Sequence, residues 1–136
     1  MKLVVDTNVL FSFFNEKSKA RELSTMSSLI LYSPRFALDE LDKHKDEILK
    51  RFSLSELQFS FILKLLQTVV NFVKIGEYKR FLSKAKEISP DPDDVDFFAL
   101  ASKLECGIWS NDAELKKQSL VKIFSTKDLV ERSKQL

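Results

Sequence analysis

Acidic residues recur in this 136-residue sequence where a fold would leave them at strand ends and helix starts. Asp6 follows the apolar run Leu3-Val4-Val5, and Asp112 stands three residues beyond Trp109. Glu40 lies about two turns into a helix-like segment, and Asp91, Asp93, Asp94 and Asp96 are four carboxylates in six positions. Carboxylates gathered on one rim repel one another unless something positive sits among them. Oxygen donors of this kind suit hard divalent ions, and Mg²⁺ in particular is held by a few carboxylates plus water. Each acid alone has a plainer reading. Asp91-Pro92-Asp93-Asp94 is also a well-made helix N-terminus, with an N-cap Asp, a first-turn proline and acids against the dipole. Asp112 can cap a helix before Ala113, and Glu40 sits in a charged segment that reads as solvated surface. The joint pattern is what points to chemistry, because independent caps have no reason to converge.

Other chemistries find little support. His44 is the only histidine, which excludes a ribonuclease using a histidine pair as acid and base. Cys106 is the only cysteine, which excludes an internal disulfide and an all-cysteine zinc site. The sequence carries no GxGxxG, GxxxxGK[ST] or Gly-x-Ser-x-Gly pattern. An aspartate-phosphorylated receiver domain would want an acidic pair before the strand-end acid, and Asp6 follows Val5 instead. The net charge of +2 is too balanced to announce nucleic acid, so the distribution of charge must decide.

These acids need elements to position them. A composition of 44% hydrophobic and 31% charged residues is that of a globular chain, long enough for one domain over 1–136. Apolar runs at Leu3–Val5, Leu29–Tyr32, Asn71–Ile75, Gly107–Trp109 and Val121–Phe124 read as strands. Helical patterns separate them: Val9 to Asn15, a stretch after Ser18, a long helix up to Arg51 opened by Ser33-Pro34, and one opened by a Ser53/Glu56 capping box. A basic amphipathic helix carrying Lys79, Arg80, Lys84 and Lys86 is expected over 77–88, then helices from Phe97 and, capped by Thr126, from Lys127. Phe11, Phe13 and Phe14 are expected in the core, the alternative being an exposed pair for dimerisation. Strands alternating with helices predict an α/β fold, a central four- or five-stranded parallel sheet flanked by helices on both faces. No apolar run approaches the ~18 residues of a membrane span. A single cysteine and no signal peptide make the expected setting the cytoplasm.

The segments KLVVDTNVL, SPRFALDELDKHKDEI, DPDDVDFFALASKLECGIWSND and VKIFSTKDL resemble the PIN domain family across essentially the whole chain. That resemblance implies a divalent-metal-dependent ribonuclease (Mg²⁺ or Mn²⁺) leaving 5′-phosphate and 3′-hydroxyl ends, similar to VapC-type toxins. By motif, the family's four acids match Asp6, Glu40, Asp94 and Asp112 as catalytic residues. Asp6, Asp94 and Asp112 would hold metal, with Glu40 in the same shell. Asn8 and Ser110 fall at the flanking polar positions, and Asp91 and Asp93 are close enough to replace or assist Asp94. The chain departs from the commoner toxin pattern at Thr7-Asn8 and at Ser110-Asn111-Asp112. The resemblance also implies an RNA substrate, a homodimer and room for an antitoxin partner. Lys43, Lys45, Lys116 and Lys117 are the cations nearest the acids in sequence and the expected substrate contacts. The alternative is a PIN fold that binds RNA or protein without cutting.

Overall fold

The computed structural model describes residues 1–134. Leu3, Val4 and Val5 of β1 (Lys2–Val5) are all fully buried. Successive strand residues face opposite sides, so burial of all three means that both faces of the sheet are covered. β1 pairs with β2 (Ile30–Pro34) and β4 (Gly107–Trp109); β3 (Val70–Val73) and β5 (Ile123–Phe124) lie outside them. All pairings are parallel, in the order β3-β2-β1-β4-β5, so the expected sheet has five strands. The chain builds outward from β1 to β3 and then crosses to the other side of β1. The order therefore reverses between β1 and β4, where α/β sheets open a crevice at their carboxyl ends.

The helices are α1 (Thr7–Ser12), α2 (Lys19–Ser24), α3 (Arg35–Lys43), α4 (Lys45–Arg51), α5 (Glu56–Val69), α6 (Ile75–Tyr78), α7 (Leu82–Ile88), α8 (Val95–Leu104) and α9 (Thr126–Ser133). α8 is the central one, packed across β1, β2 and β4. Its apolar run Phe97–Ala101 is buried all round, as a helix lying between a sheet and α7 must be. Phe13 and Phe14 join the core, as expected, while Phe11 is half-buried against it. No helix among the described residues is long and apolar enough to cross a membrane.

Several local expectations are corrected, some by a tertiary contact and some by local backbone geometry. Ser33 does not cap a helix: it belongs to β2, and its hydroxyl donates to the Val5 carbonyl at 2.9 Å. The long helix to Arg51 breaks at His44, whose ring lies edge-on to Phe11 and within 3.6 Å of Glu40 and 3.3 Å of Glu47. The capping box is Ser55 with Gln58, because Ser53 turns the chain in the left-handed region at φ 54°. β3 stops at Val73, where its neighbour β2 runs out at Pro34, so Ile75 and Gly76 enter α6 instead of extending the strand. The expected helix over 77–88 is split by a 3-10 turn at Lys79–Phe81. Ser125, not Thr126, caps α9, because the Thr126 hydroxyl accepts from the Trp109 indole at 3.0 Å.

β4 and β5 approach so closely that a Cβ on Gly107 would meet the Lys122 carbonyl at 2.7 Å and the Phe124 ring at 2.8 Å. Gly107→Ala is therefore expected to cost about 1–3 kcal/mol by overpacking. The readout is a lowered urea midpoint with an unchanged m-value; an unshifted midpoint would show that β5 gives way freely.

Candidate active site

At the carboxyl ends of β1 and β4 two strands become two turns, and each turn delivers an acid. Asp6 is still paired to β4 through its backbone, its N–H donating to the Trp109 carbonyl at 3.1 Å. Its carboxylate then caps α1, with Oδ1 accepting from the Val9 N–H at 2.9 Å, and it is only 5% exposed. Ser110 extends β4 by one residue, its N–H donating to the Phe124 carbonyl at 2.9 Å, and is fully enclosed. The Ser110 hydroxyl accepts from the Asp112 N–H at 3.0 Å and lies close enough to the Asp6 carboxylate to favour its charged form. One hydroxyl thus ties the two acids together. Asp112 is exposed and caps the 3-10 turn Ala113–Lys117 through the Glu114 N–H at 3.0 Å.

The third acid arrives on α8. This helix leads into the start of β4, so it runs opposite to the strands and begins at their carboxyl rim. Asp94 is its N-cap. Just before it, Asp91 caps the 3-10 turn Pro92–Asp94 by accepting from the Asp93 N–H at 2.8 Å. The capping readings of Asp91 and Asp112 and the rim reading are thus all true together.

Electrostatics record how the acids crowd. Burial pushes the Asp6 carboxyl above its usual range, opposed by the Ser110 hydroxyl and the Val9 N–H, with the Asp112 charge pushing it further up. Asp94 is pushed up to about 6, first by burial and then by the charges of Asp91, Asp6, Asp112 and Asp93. The structure therefore brings Asp6, Asp91, Asp93, Asp94 and Asp112 within electrostatic reach of one rim. Glu40 is placed differently. It is half-buried on α3, which packs against α1, and its Oε2 faces His44. Its charge is not among those acting on Asp6 or Asp94. Asn8 is exposed in the first turn of α1.

The four expected substrate lysines are mostly occupied. Lys45 pairs with Glu56 at 3.4 Å and lies over the Phe59 ring. Lys116 pairs with Asp128 at 3.4 Å and Lys117 with Glu114 at 2.6 Å. Lys43 is exposed and has no ion pair among the described residues. Sequence reasoning passed over Tyr78, a buried phenol donating to Asp96 Oδ2 at 2.6 Å in the first turn of α8. Burial and the Asp96 carboxylate both raise its pKa. No local pattern marks such a pair, whose members are eighteen residues apart.

Among the described residues, no three His, Cys, Asp or Glu side chains form a group that could hold a metal ion. The donor chemistry nevertheless fits a hard cation. It is all carboxylate oxygen, and the charges of Asp6 and Asp94 are both disfavoured in the protein alone. Mg²⁺ asks for little more, since it commonly takes one or two carboxylates directly and keeps several waters.

A family model described as PIN domain matches residues 4–132. Among solved structures, a chain of VapBC2 from Rickettsia felis, bound to a DNA fragment from their promoter, is similar with a TM-score of 0.65. The match covers 92% of this chain and 98% of that chain at 12% identity, a likeness of fold. No curated protein sequence matches the chain.

The Asp94 environment makes stability pH-dependent. Unfolded, this carboxyl titrates near 3.8; folded, near 6, so the folded state holds the extra proton in between. Stability contributed by the protonated group is present below the lower value and lost as pH rises through the upper one. In chelator, Asp94→Asn is expected to stabilise the protein by on the order of 1 kcal/mol at about pH 7.5, after allowance for screening, and little at about pH 4. Urea midpoints of the two proteins at both pH values check this. Equal midpoints at the higher pH would mean that Asp94 is not held among like charges.

Proposed function

The chain belongs to the PIN domain family, and on that premise we propose that it is a divalent-metal-dependent endoribonuclease that hydrolyses RNA phosphodiester bonds. One observation carries this reading. Asp6, Asp94 and Asp112 come from three separate elements around the β1/β4 reversal and lie near enough for their charges to act on one another, with burial disfavouring the charged forms of Asp6 and Asp94. A protein with no use for a cation gains nothing from that repulsion.

In this reading Asp6, Asp94 and Asp112 hold the ion, Mg²⁺ or Mn²⁺, directly or through waters, with Asp91 and Asp93 adding negative charge beside Asp94. The chemistry a divalent ion supplies there is activation of water near neutral pH and neutralisation of charge on the phosphate oxygens. The chain's own groups do the positioning. Ser110 holds the Asp6 carboxylate and the Asp112 backbone in a fixed relation, and the Val9 N–H fixes the second contact of Asp6. Glu40 is left outside the ion-holding set, since its Oε2 faces His44, and exposed Asn8 meets the substrate at the first turn of α1.

We assign this nuclease to the toxin half of a toxin–antitoxin pair, working in the cytoplasm as a homodimer restrained by an antitoxin protein. The VapBC2 likeness supports that assignment by fold. A groove of about 780 Å³ supports a protein partner. It lies between α5 and the α1–α2 region and is lined by Phe13, Phe14, Phe61, Ile62 and Leu65. Leu57, Phe61 and Leu65 are exposed along one face of α5, an apolar patch of the kind that partners cover.

Incubation with single-stranded RNA and Mg²⁺ or Mn²⁺ is expected to give products ending in 5′-phosphate. Chelator should abolish them, and Asp6→Asn or Asp94→Asn should cut the rate by about a hundredfold or more. Cleavage that survives both chelator and Asp6→Asn would overturn the reading. The second reading, a PIN fold that binds without cutting, is favoured by the absence of a ready-made three-ligand group among the described residues. It predicts RNA retention with no metal-dependent products and no effect of Asp94→Asn.

A further inference from the structure

Residues 74–88 hold five cations, Lys74, Lys79, Arg80, Lys84 and Lys86, against two acids, Glu77 and Glu87. All five are exposed, and none forms an ion pair among the described residues. They differ in this from Lys45, Lys116 and Lys117, whose charges are already met by local acids.

Their place in the fold matters as much as their number. α6 starts directly after the carboxyl end of β3, on the rim that carries the acids. The buried Tyr78 hydroxyl then pins it to Asp96 in the first turn of α8, two residues from Asp94. The 3-10 turn and α7 lie against α8, and α7 runs out into the Ser89–Asp91 turn that delivers Asp94. The inner side of this segment is apolar: Tyr78 and Ala85 are buried, and Phe81, Leu82 and Ile88 pack against the core. The cations are therefore left on the solvent side, next to the acidic rim and not within it. No cation is among the charges that act on Asp6 or Asp94.

A polyanion approaching five carboxylates is repelled, so a surface that captures it has to stand beside the acids without neutralising them. Unpaired, exposed cations do this best, because phosphates displace only counterions from them. We propose that the α6–α7 edge, through Lys74, Lys79, Arg80, Lys84 and Lys86, is the track that holds the phosphates of single-stranded RNA and leads them to the rim. The proposal rests on the nuclease reading for the polymer's identity and deepens it by naming the surface that binds. A lipid surface fits less well, since it requires an exposed apolar face opposite the cations and here that face is packed on α8.

The test is fluorescence anisotropy of an end-labelled single-stranded RNA of mixed sequence, in chelator so that the RNA stays intact, across about 50 to 200 mM salt. The proteins compared are wild type, a Lys79→Gln/Arg80→Gln/Lys84→Gln/Lys86→Gln variant and a Lys2→Gln/Lys122→Gln control, whose exposed lysines stand at the amino ends of β1 and β5, opposite the rim. Removing four contacts at about 0.7 each should lower the slope of log affinity against log salt by about 2 to 3. Affinity should fall about tenfold or more near the middle of that salt range, with the control within about twofold of wild type. The wild-type slope gives a check that needs no variant: a value below about 1.4, fewer than two phosphates, overturns the track. So does an unchanged slope in the quadruple variant, or absence of RNA binding by the wild type. Wild-type cleavage in Mg²⁺ is scored separately. Binding that depends on the track without cleavage defeats the nuclease reading alone, and cleavage with an indifferent quadruple variant defeats the track alone.

Discussion

A carboxylate buried where two parallel strands end is the constraint around which this molecule is arranged. Asp6 loses most of its hydration at the end of β1, a change that disfavours its charge unless donors are supplied. The structure supplies two, the Val9 N–H and the Ser110 hydroxyl. Each makes demands on the fold. The first requires the chain to turn into α1 immediately after β1. The second requires β4 to lie beside β1 in a register that carries Ser110 one residue past Trp109. Because Ser110 also receives the Asp112 N–H, the same hydroxyl that eases one acid sets the position of another.

The remaining acids follow from topology. The crossover from β3 to β4 passes over β1 on α8, and a helix leading into a parallel strand must begin at the sheet's carboxyl rim. Asp94 is therefore at the rim because of the direction of α8, and its raised pKa is the electrostatic record of that placement. Trp109 steadies the same corner from below, with Phe13 edge-on to its ring and Thr126 accepting from its indole. The close approach of β5 at Gly107 completes the support. A rim of like charge is thus held on a stiff base, and the cations free to bind a polyanion lie one helix away from it.

The strand pattern was legible along the chain because burial on both faces leaves a run of apolar residues that no turn or exposed helix needs. β1 and β4 were readable in this way, and so were the acids at their ends. Local signals misled wherever two readings shared the same residues. Ser33-Pro34 looks like a helix start until the Val5 carbonyl claims the serine hydroxyl. Thr126 looks like a cap until the Trp109 indole claims it, leaving Ser125 and Asp128 to form the capping box. Of the four lysines chosen by proximity along the chain, three are paired with acids, Lys117 with Glu114 one turn away and Lys45 and Lys116 with Glu56 and Asp128 on other helices, which proximity in sequence does not reveal. The basic segment at 77–88 was visible as a charged helix, but nothing in its spacing placed it against α8.

What the amino-acid order determined by itself was the α/β class and the identity of the acids at the ends of β1 and β4. Both follow from hydrophobic periodicity and from single polar residues that interrupt it, and neither depends on distant parts of the chain. Only the tertiary structure decided which acids share a rim, that Ser110 joins two of them, that Glu40 stands apart facing His44, and that Tyr78 fastens the basic segment to α8. These depend on strand order and helix direction. Such relations join residues many positions apart, where local pattern carries no information and only the packing of the whole chain sets the distance.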